Sequence, residues 1–471
     1  MRHLLAAIAF TFSTFFPAGD PDRTRDIEKH FTTQPTQLIE ITGFSGSEVK
    51  FRSWEKNEVY IKVGIRLDAS DESYEQQYID EVSLIDTQTP HGVRISLKEP
   101  KSPSRSIESV SGFFRKLFGG FYVRKEVVGE IYVPQSNPLT TDLRYGSFDL
   151  ENMKGSLRLL GTSNTLTLRN CSAVEEVEND YGKTVIENSG GKMEISGKSS
   201  RITVEDFKGS ITMDAEYSTI TLRNVTQTSK IRSRSATINA DDIGGDLSID
   251  ADYSTVTANK IAGMLRIENT SGKIRVKNAD GMYIDANYTS VDASTISGKA
   301  AREIFVKGQS GSLHLEDAVG NVKIDNPYST INLIKIKGNV DVSSKSARIN
   351  GTDITGDWAS RTEYSSVTVR GLSAQRIEMT NKSNPIDLQL TIPPTHMDIR
   401  NEYGSVTVSM PSGFSGEVDL NATYGKVDTN LPLEKTRSFK GAGAYAIGKV
   451  GSGNGKINIE TSSANVKLMQ R

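Results

Sequence analysis

The chain has 471 residues, with 56 Lys or Arg against 58 Asp or Glu, so its net charge is −2 at neutral pH. This balance excludes a general electrostatic attraction to nucleic acid or to an anionic membrane surface, and nucleic acid is not expected as a partner. Cys171 is the single cysteine, which excludes an internal disulfide. Forty glycines and alternating Ser, Thr, Asn, Ile and Val residues predict an all-β chain of many short strands.

The first residues, MRHLLAAIAFTFSTFFPAG, have the layout of a signal peptide. A basic start precedes an apolar run from Leu4 to Phe16, and small residues follow at Ala18 and Gly19. The alternative is an uncleaved anchor, but the run is shorter than the ~20 residues of a spanning helix. We therefore expect residues 1–19 to direct export to the periplasm, the cell surface or the medium.

Residues 20–140 have a strand and turn texture without a regular unit, which predicts an N-terminal β-rich cap or irregular opening coils. Within them, the segment 102–120 differs, because apolar residues such as Ile107, Val110 and Phe114 recur near helical spacing with basic residues between them. This short insert is expected either to pack over the rest of the fold or to contact a membrane or partner.

The rest of the chain is repetitive. The segment EYSTITLRN at 216–224 recurs as DYSTVTANK, PYSTINLIK, EYSSVTVRG and EYGSVTVSM, about 36 residues apart. Alignment on the tyrosine, here called the anchor, shows a true step of 18 residues through Tyr145, Ser163, Tyr181, Ser199, Tyr217, Ser235, Tyr253 and Ser271. The series continues less regularly to Tyr424 and resumes from Tyr445 to Ser463. Such a fixed period indicates a solenoid rather than separate domains.

Each unit has a pattern that predicts its geometry. Apolar residues stand three and five positions after the anchor, as at Ile220 and Leu222, and a spacing of two defines one face of a strand. Asn or Asp is frequent seven positions after the anchor, as at Asn224, and tolerates the left-handed backbone of a tight corner. Glycine recurs ten positions after it, as at Gly245, before a second apolar pair.

Eighteen residues with two short strands cannot close a core alone, so the units must stack. Stacked coils pair each strand with its equivalents above and below and align the inward apolar residues in columns. We therefore predict a right-handed parallel β-helix, or β-solenoid, with about 18-residue coils over residues 141–471.

The doubled period reflects alternation between neighbouring coils. The position before the anchor carries alternating charge at Asp180, Lys198, Glu216, Arg234 and Asp252. Opposite charges stacked ~4.8 Å apart attract each other, so this charge column is interpreted as structural. At the anchor, bulky Tyr alternates with small Ser, which leaves room for each ring.

The alternating tyrosines form the one candidate ligand platform in the sequence. If the strand is straight at the anchor, the ring has the opposite parity to the buried residues and points outward. The candidate platform comprises Tyr217, Tyr253, Tyr288, Tyr328 and Tyr364. The alternative is that these rings only cover the corner and pack on their neighbours.

No catalytic, metal or cofactor site is predicted. The five histidines are far apart and lack metal-ligand spacing, and the chain has neither a phosphate-binding loop nor a nucleophile elbow. Parallel β-helices can nevertheless be polysaccharide lyases or hydrolases that gather acids on one face. Four acids could serve that alternative: Asp250, Asp252, Asp285 and Asp292. Cys171, which follows a strand, is expected to be a small filler rather than a reactive thiol.

The repeated Y-[SG]-x-[IV]-x-[VL] segments, the opening IEKHFTTQPTQLIEITGFSG and the ending GNGKINIETSSANVKLMQR resemble the bacterial β-strand-repeat proteins of the "putative adhesin" family. The resemblance implies an exported β-solenoid without established catalysis or cofactor, and it supplies no functional residues. The expected function is adhesin-like binding of a glycan, the cell wall or an envelope protein, or a structural role in the envelope.

Overall fold

The computed structural model describes residues 24–45, 47–89, 91–100, 123–297, 303–433, 435–439 and 443–471. The predicted signal peptide at 1–19 and the predicted insert at 102–120 lie outside these residues. The chain divides into two compact units, Met1–Ile211 and Thr212–Arg471. The described part of each unit is built almost wholly of strands, most of them paired in parallel, and the predicted β-solenoid with an irregular β-cap at its N-terminal side is confirmed.

The first unit contains one short helix among the described residues. Its elements in chain order are β1 (Thr24–Thr32), β2 (Leu38–Thr42), β3 (Ser47–Trp54), β4 (Glu58–Ala69), α1 (Glu72–Glu81), β5 (Ser83–Gln88), β6 (Gly92–Lys98), β7 (Val123–Pro134), β8 (Leu139–Arg144), β9 (Ser147–Glu151), β10 (Leu157–Thr162), β11 (Thr165–Arg169), β12 (Val174–Glu178), β13 (Lys183–Glu187), β14 (Gly190–Ser196) and β15 (Arg201–Asp214), which reaches past the unit boundary. Nowhere in the described ranges is a helix long and apolar enough to cross a membrane.

Coils of the first unit repeat every 18 residues from β8 onward. Strands that follow an anchor form sheet A, as where β11 pairs with β9 and β13, and the intervening strands form sheet B. Leu166 therefore stacks between Phe148 and Thr184, all three nearly or fully buried. The predicted inward columns are thus present in this unit.

The opening of the first unit does not follow chain order. Strand β2 pairs in parallel with β6 on one side and β8 on the other, and β3 pairs likewise with β7 and β9. The coil made of β2 and β3 therefore lies between two coils that are built later in the chain. Antiparallel pairs of β7 with β4, β4 with β1, and β5 with β6 cover the outer end. This arrangement protects the edge that an open solenoid would expose.

The second unit consists of strands throughout its described part. These are β16 (Thr219–Val225), β17 (Ser229–Arg234), β18 (Thr237–Ile243), β19 (Leu247–Asp252), β20 (Thr255–Ile261), β21 (Leu265–Thr270), β22 (Lys273–Ala279), β23 (Met282–Asn287), β24 (Thr289–Ser297), β25 (Ile304–Lys307), β26 (Ser310–Val319), β27 (Val322–Asp325), β28 (Tyr328–Lys337), β29 (Val340–Ser344), β30 (Arg348–Thr355), β31 (Trp358–Thr362), β32 (Ser366–Ser373), β33 (Arg376–Asn381), β34 (Ile386–Leu390), β35 (His396–Asn401), β36 (Val406–Met410), β37 (Gly416–Ala422), β38 (Val427–Thr429), β39 (Lys435–Phe439), β40 (Gly443–Val450), β41 (Gly455–Thr461) and β42 (Val466–Gln470).

The core of the second unit is a set of straight apolar columns. In sheet A of this unit, Ile220, Ile238, Val256 and Ile274 are successive parallel partners, and all four are fully buried. Full burial of each such side chain stabilises the fold by roughly 1.5–3 kcal/mol. The apolar residues predicted three positions after the anchor are therefore the residues that bind one coil to the next.

Two left-handed residues turn each regular coil. The predicted Asn and Asp position is left-handed, with φ of 51° at Asn224 and 54° at Asn278. The same position keeps this conformation where the residue is Lys260, at φ 52°. The anchor is also left-handed in the first half of the unit, with φ of 53° at Tyr217 and at Ser235. The left-handed conformation at the corner is thus imposed by the stacking of coils, and not only by the type of residue at that position.

The far end of the second unit also departs from chain order. Strands β41 and β42 pair in parallel with β35 and β36 on one side and with β37 and β38 on the other. The last coil of the chain therefore lies between two coils that are built earlier in the chain. The spacing of the repeat predicts that Tyr445 is an anchor. It lies instead in β40, which runs antiparallel to β37 and β39.

The glycine corner generates a stability prediction. Gly338 has φ of 153°, and a Cβ there would lie 2.1 Å from the carbonyl oxygen of Gly320 in the preceding coil. Gly413 has φ of 106° but open space around it, so Gly413→Ala is a control for the backbone cost alone. We expect Gly338→Ala to lower the free energy of unfolding by about 2 kcal/mol more than Gly413→Ala does, measured by urea denaturation. Equal losses would contradict the close approach of the two coils.

A second prediction tests the left-handed corner. Lys260→Asn puts a residue that tolerates φ of 52° where a long side chain now stands. We expect it to raise the free energy of unfolding by about 0.5–1 kcal/mol. The reciprocal change, Asn278→Lys, should lower it and also removes the 3.1 Å hydrogen bond from the Asn278 side-chain amide to Asn259. If both variants melt at the parent temperature, the corner does not limit stability.

Candidate functional site

The predicted tyrosine row lies on corners whose backbone does not require tyrosine. Tyr217, Tyr253 and Tyr288 have φ of 53°, 53° and 51°. In the coils between them, Ser235 and Ser271 have φ of 53° and 61° at the equivalent position. A bulky aromatic residue is uncommon in this region, whereas the same turn is made with serine. Backbone geometry therefore does not explain the choice of tyrosine in alternate coils.

All five predicted tyrosines are more than half exposed. Exposure ranges from 54% at Tyr253 and Tyr364 to 62% at Tyr288, and the row continues through the similarly exposed Tyr403 and Tyr424. The assumption of a straight strand at the anchor is wrong for the first three, which are left-handed corner residues. Outward exposure at those positions follows instead from the turn.

Hydrogen bonds between coils fix the spacing of the row. The Tyr217 backbone N–H donates to the carbonyl of Arg234 (2.8 Å), and the Ser235 N–H donates to that of Asp252 (2.9 Å). Each tyrosine is thus separated from the next by one serine coil, or ~9.6 Å at the usual strand spacing. The Tyr364 N–H bonds the other way, to Lys345 in the preceding coil. The corner therefore changes its geometry along the row.

Polar side chains surround the rings. The guanidinium carbon of Arg234 lies 5.6 Å from the Tyr253 ring centroid, and the Tyr288 hydroxyl donates to the Gln309 side-chain oxygen at 3.4 Å. Aromatic faces beside amide and hydroxyl groups are suited to ligands that carry both apolar faces and hydroxyls. The row therefore combines exposed aromatic rings with neighbouring polar side chains.

The charge column beside the anchors is only partly an ion-pair ladder. Arg234 and Asp252 are stacked partners, as predicted, and Lys382 forms an ion pair with Glu363 at 3.7 Å. The Asp252 carboxylate, however, accepts the backbone N–H of Thr270 at 3.2 Å. Some charges of this column therefore cap the backbone of the following coil in addition to pairing with neighbours.

The four acids considered for a glycosidase-like cluster do not converge. Asp250 and Asp252 lie on β19 of sheet B, and Asp285 stands two coils further in the column of Asp250. Asp285 forms an ion pair with Lys307 at 2.7 Å. Asp292 lies on β24, which belongs to sheet A. Their carboxylates are thus divided between two sheets.

The remaining candidates for chemistry are a metal-binding cluster and the cysteine thiol. Across the described ranges, no group of three or more His, Cys, Asp or Glu side chains is arranged to hold a metal ion. Cys171 in the first unit is fully buried, and its burial raises the pKa of the thiol to about 11. A thiol with that pKa is almost wholly protonated at neutral pH, which agrees with its expected role as a filler.

Sequence reasoning missed an aromatic column on sheet B of the second unit. Arg266, Tyr283, Phe305 and Lys323 are successive parallel partners. The two rings meet at 5.4 Å, with the Arg266 guanidinium 4.4 Å from Tyr283 and the Lys323 ammonium 5.5 Å from Phe305. The sequence signal is an aromatic residue between two buried apolar ones. The 22 residues from Tyr283 to Phe305 hide it from a search with a fixed step of 18.

A groove of about 310 Å³ adjoins this column. Lys323, Asp341, Ala359 and Glu378 are successive partners that line it, and the small Ala359 leaves space between the two acids. Its charged lining consists of four acidic and two basic side chains, so the groove has a net negative charge.

Comparison with known proteins adds little to this geometry. No family model matches the chain, and no curated protein matches it. Among solved structures, it is similar to a "putative cell adhesion protein from Clostridium sporogenes ATCC 15579", with 9% sequence identity over 95% of this chain and 100% of that chain. The TM-score of 0.16 is too low for the similarity to carry a conclusion, so no function is transferred from that protein.

The charge column yields a prediction within the second unit. Glu363→Lys replaces the partner of Lys382 and puts a third positive charge next to Lys345, whose carbonyl accepts the Tyr364 N–H. Because these side chains are exposed, we expect a loss of no more than about 1 kcal/mol in unfolding free energy, larger at low salt. Adding Lys382→Glu should recover part of it. A salt-independent loss would rule out an electrostatic cause.

Proposed function

We propose that this chain is a non-catalytic, exported protein of the bacterial envelope or cell surface, and that its tyrosine row binds a glycan. The observation that carries the proposal is the alternation at one corner. Serine and tyrosine occupy the same left-handed position in successive coils, as at Ser235 and Tyr253, yet the tyrosine rings remain more than half exposed. A side chain that the backbone disfavours and that packing only partly buries is best explained by contact with a ligand.

A regular row suits a polymer better than a small molecule. Each exposed ring offers one apolar face of limited area, so a single contact is weak. Rings repeated at a fixed interval can contact successive units of one chain, and the weak contacts then act together through a high effective concentration. A wall or capsular polysaccharide has the repeating structure that such a row requires.

Export and the absence of catalysis are parts of the same proposal. The layout of residues 1–19 supports export. The division of the four candidate acids between two sheets, with Asp285 already paired to Lys307, supports binding without hydrolysis or elimination. Binding of an envelope protein by the same rings is the alternative use of the surface.

The test removes the rings with a residue that the repeat itself supplies. In the triple variant Tyr253→Ser, Tyr288→Ser and Tyr328→Ser, we expect loss of retention on insoluble peptidoglycan or on immobilised capsular polysaccharide. The melting temperature should stay close to that of the parent, because serine already occupies the equivalent corners. Ser235→Ala with Ser271→Ala is the matched control, since it alters intervening corners and leaves every ring in place.

Three outcomes would overturn the proposal. Retention that is unchanged in the triple variant while its melting temperature falls would show that the rings only pack the corner. Failure of the parent protein to bind either polymer would remove the glycan as the ligand. Equal loss in the serine control would show that corner geometry, not the rings, governs retention.

A further inference from the structure

The cap of the first unit carries an aromatic cluster that the repeat does not contain. Trp54 ends β3, Tyr60 lies on β4, and Tyr132 lies on β7. The Trp54 ring is 5.2 Å from that of Tyr132 and 6.0 Å from that of Tyr60, and the two tyrosine rings are 5.8 Å apart. Trp54 and Tyr132 are half-buried. Of these three mutually contacting rings, those of Trp54 and Tyr132 therefore reach solvent, whereas Tyr60 is buried.

The polar edges of these rings are bonded within the protein. The Tyr60 hydroxyl donates to Glu28 at 2.9 Å, the Tyr132 hydroxyl to Glu130 at 2.9 Å, and the Trp54 indole N–H to the carbonyl of Glu58 at 2.7 Å. Burial, together with the bond to Glu28, raises the pKa of Tyr60 to about 12, so this hydroxyl stays protonated. These hydrogen bonds hold the three rings in place, and the π faces of the half-buried Trp54 and Tyr132 stay available for contact.

One ring face already holds a cation. The Lys56 ammonium lies 4.5 Å from the Trp54 ring centroid and 3.6 Å from the Glu58 carboxylate. Lys56 belongs to the turn between β3 and β4, and its side chain is 66% exposed. A long, exposed side chain can leave this position at little cost, and its ammonium marks where a cation is stabilised by a ring and a carboxylate together.

The surrounding charges favour a positive ligand if Lys56 leaves. The cluster contains three carboxylates, from Glu28, Glu58 and Glu130. Arg52 pairs with Glu130 at 3.2 Å, and Lys62 is the cross-strand partner of both Glu28 and Glu130. Glu58 is left with Lys56 and with His30, whose ring nitrogen lies 3.5 Å away. Removal of the Lys56 ammonium thus takes the lysine partner away from the Glu58 carboxylate, which lies beside the Trp54 ring.

We propose that this cluster is a binding site for an organic ammonium group, which takes the place of the Lys56 ammonium on Trp54. The ligand chemistry is a quaternary ammonium headgroup or the free amine of an amino sugar, both of which combine a positive charge with an apolar surface. The site lies in the first unit and is independent of the tyrosine row. The competing account is that the cluster only joins the antiparallel cap strands to the first coils.

The two tryptophans make the site directly observable. Trp358, the second tryptophan of the chain, is buried in the second unit, and Trp358→Phe leaves Trp54 as the fluorophore. In this background, choline and glucosamine are titrated against their uncharged counterparts, 3,3-dimethylbutanol and N-acetylglucosamine. We expect saturable fluorescence changes with the charged probes alone. A response to choline or to glucosamine identifies which source of the ammonium the site accepts.

The decisive variant is Lys56→Ala, which removes the ammonium from the Trp54 ring and leaves the three aromatic residues unchanged. We expect it to lower the dissociation constant of the charged probe about fivefold, the size of one partly exposed cation–π contact. Lys50→Ala is the matched control, because it removes an exposed positive charge from β3, the strand before the turn that contains Lys56, and Lys50 is a partner of Glu130.

Three outcomes would overturn the proposal. The first is no saturable response in Lys56→Ala, with folding verified by circular dichroism. The second is an equal response to the uncharged counterparts, which would indicate apolar contact only. The third is equal tightening in Lys50→Ala, which would indicate general electrostatics. A cluster that only joins strands predicts the first of these.

Discussion

Everything in this protein depends on the parallel pairing of one 18-residue coil with the next. A single coil buries too little apolar area to offset the entropy of ordering it. Pairing places Ile220, Ile238, Val256 and Ile274 in one buried column and satisfies the backbone groups of the paired strands at the same time. It also explains why the anchors from Tyr217 to Tyr288 share one left-handed conformation, because two strands in register leave few ways to connect them. Lys260 accepts a left-handed conformation for this reason.

The residue found at a corner therefore shows whether the backbone conformation requires that residue type or whether another reason is needed for it. Asn224 suits its left-handed position, and Gly338 occupies one where a Cβ would collide with the preceding coil. Tyr217, Tyr253 and Tyr288 meet no such demand, since serine adopts the same backbone one coil away. The tyrosine row is the place where local preference and fold disagree most regularly, and such disagreements are expected at functional sites.

The sequence predicted what is periodic and local. Its step of 18 residues predicted the columns, the left-handed Asn and Asp corners and the tyrosine row. It could not predict the order of coils at either end, because the insertion of β2 and β3 between later coils depends on pairing between segments distant in sequence. Tyr445 has the right spacing and yet lies in an antiparallel strand. The cluster of Trp54, Tyr60 and Tyr132 was missed for the same reason, since β3, β4 and β7 meet only in the fold.

The two proposed sites differ because one is built on repeated coils and the other on the unrepeated cap. A repeated coil offers one residue at a time, so a surface built from it is a row of similar weak contacts, suited to a polymer. A cap is not repeated, and its crossing strands can bring different residues to one point, as Trp54, Glu58 and Tyr132 are brought together. Such a point suits a small charged group held by several unlike contacts. In the two proposals, the division between repeat and cap thus separates two kinds of recognition, one extended along the coils and one localised at a single point.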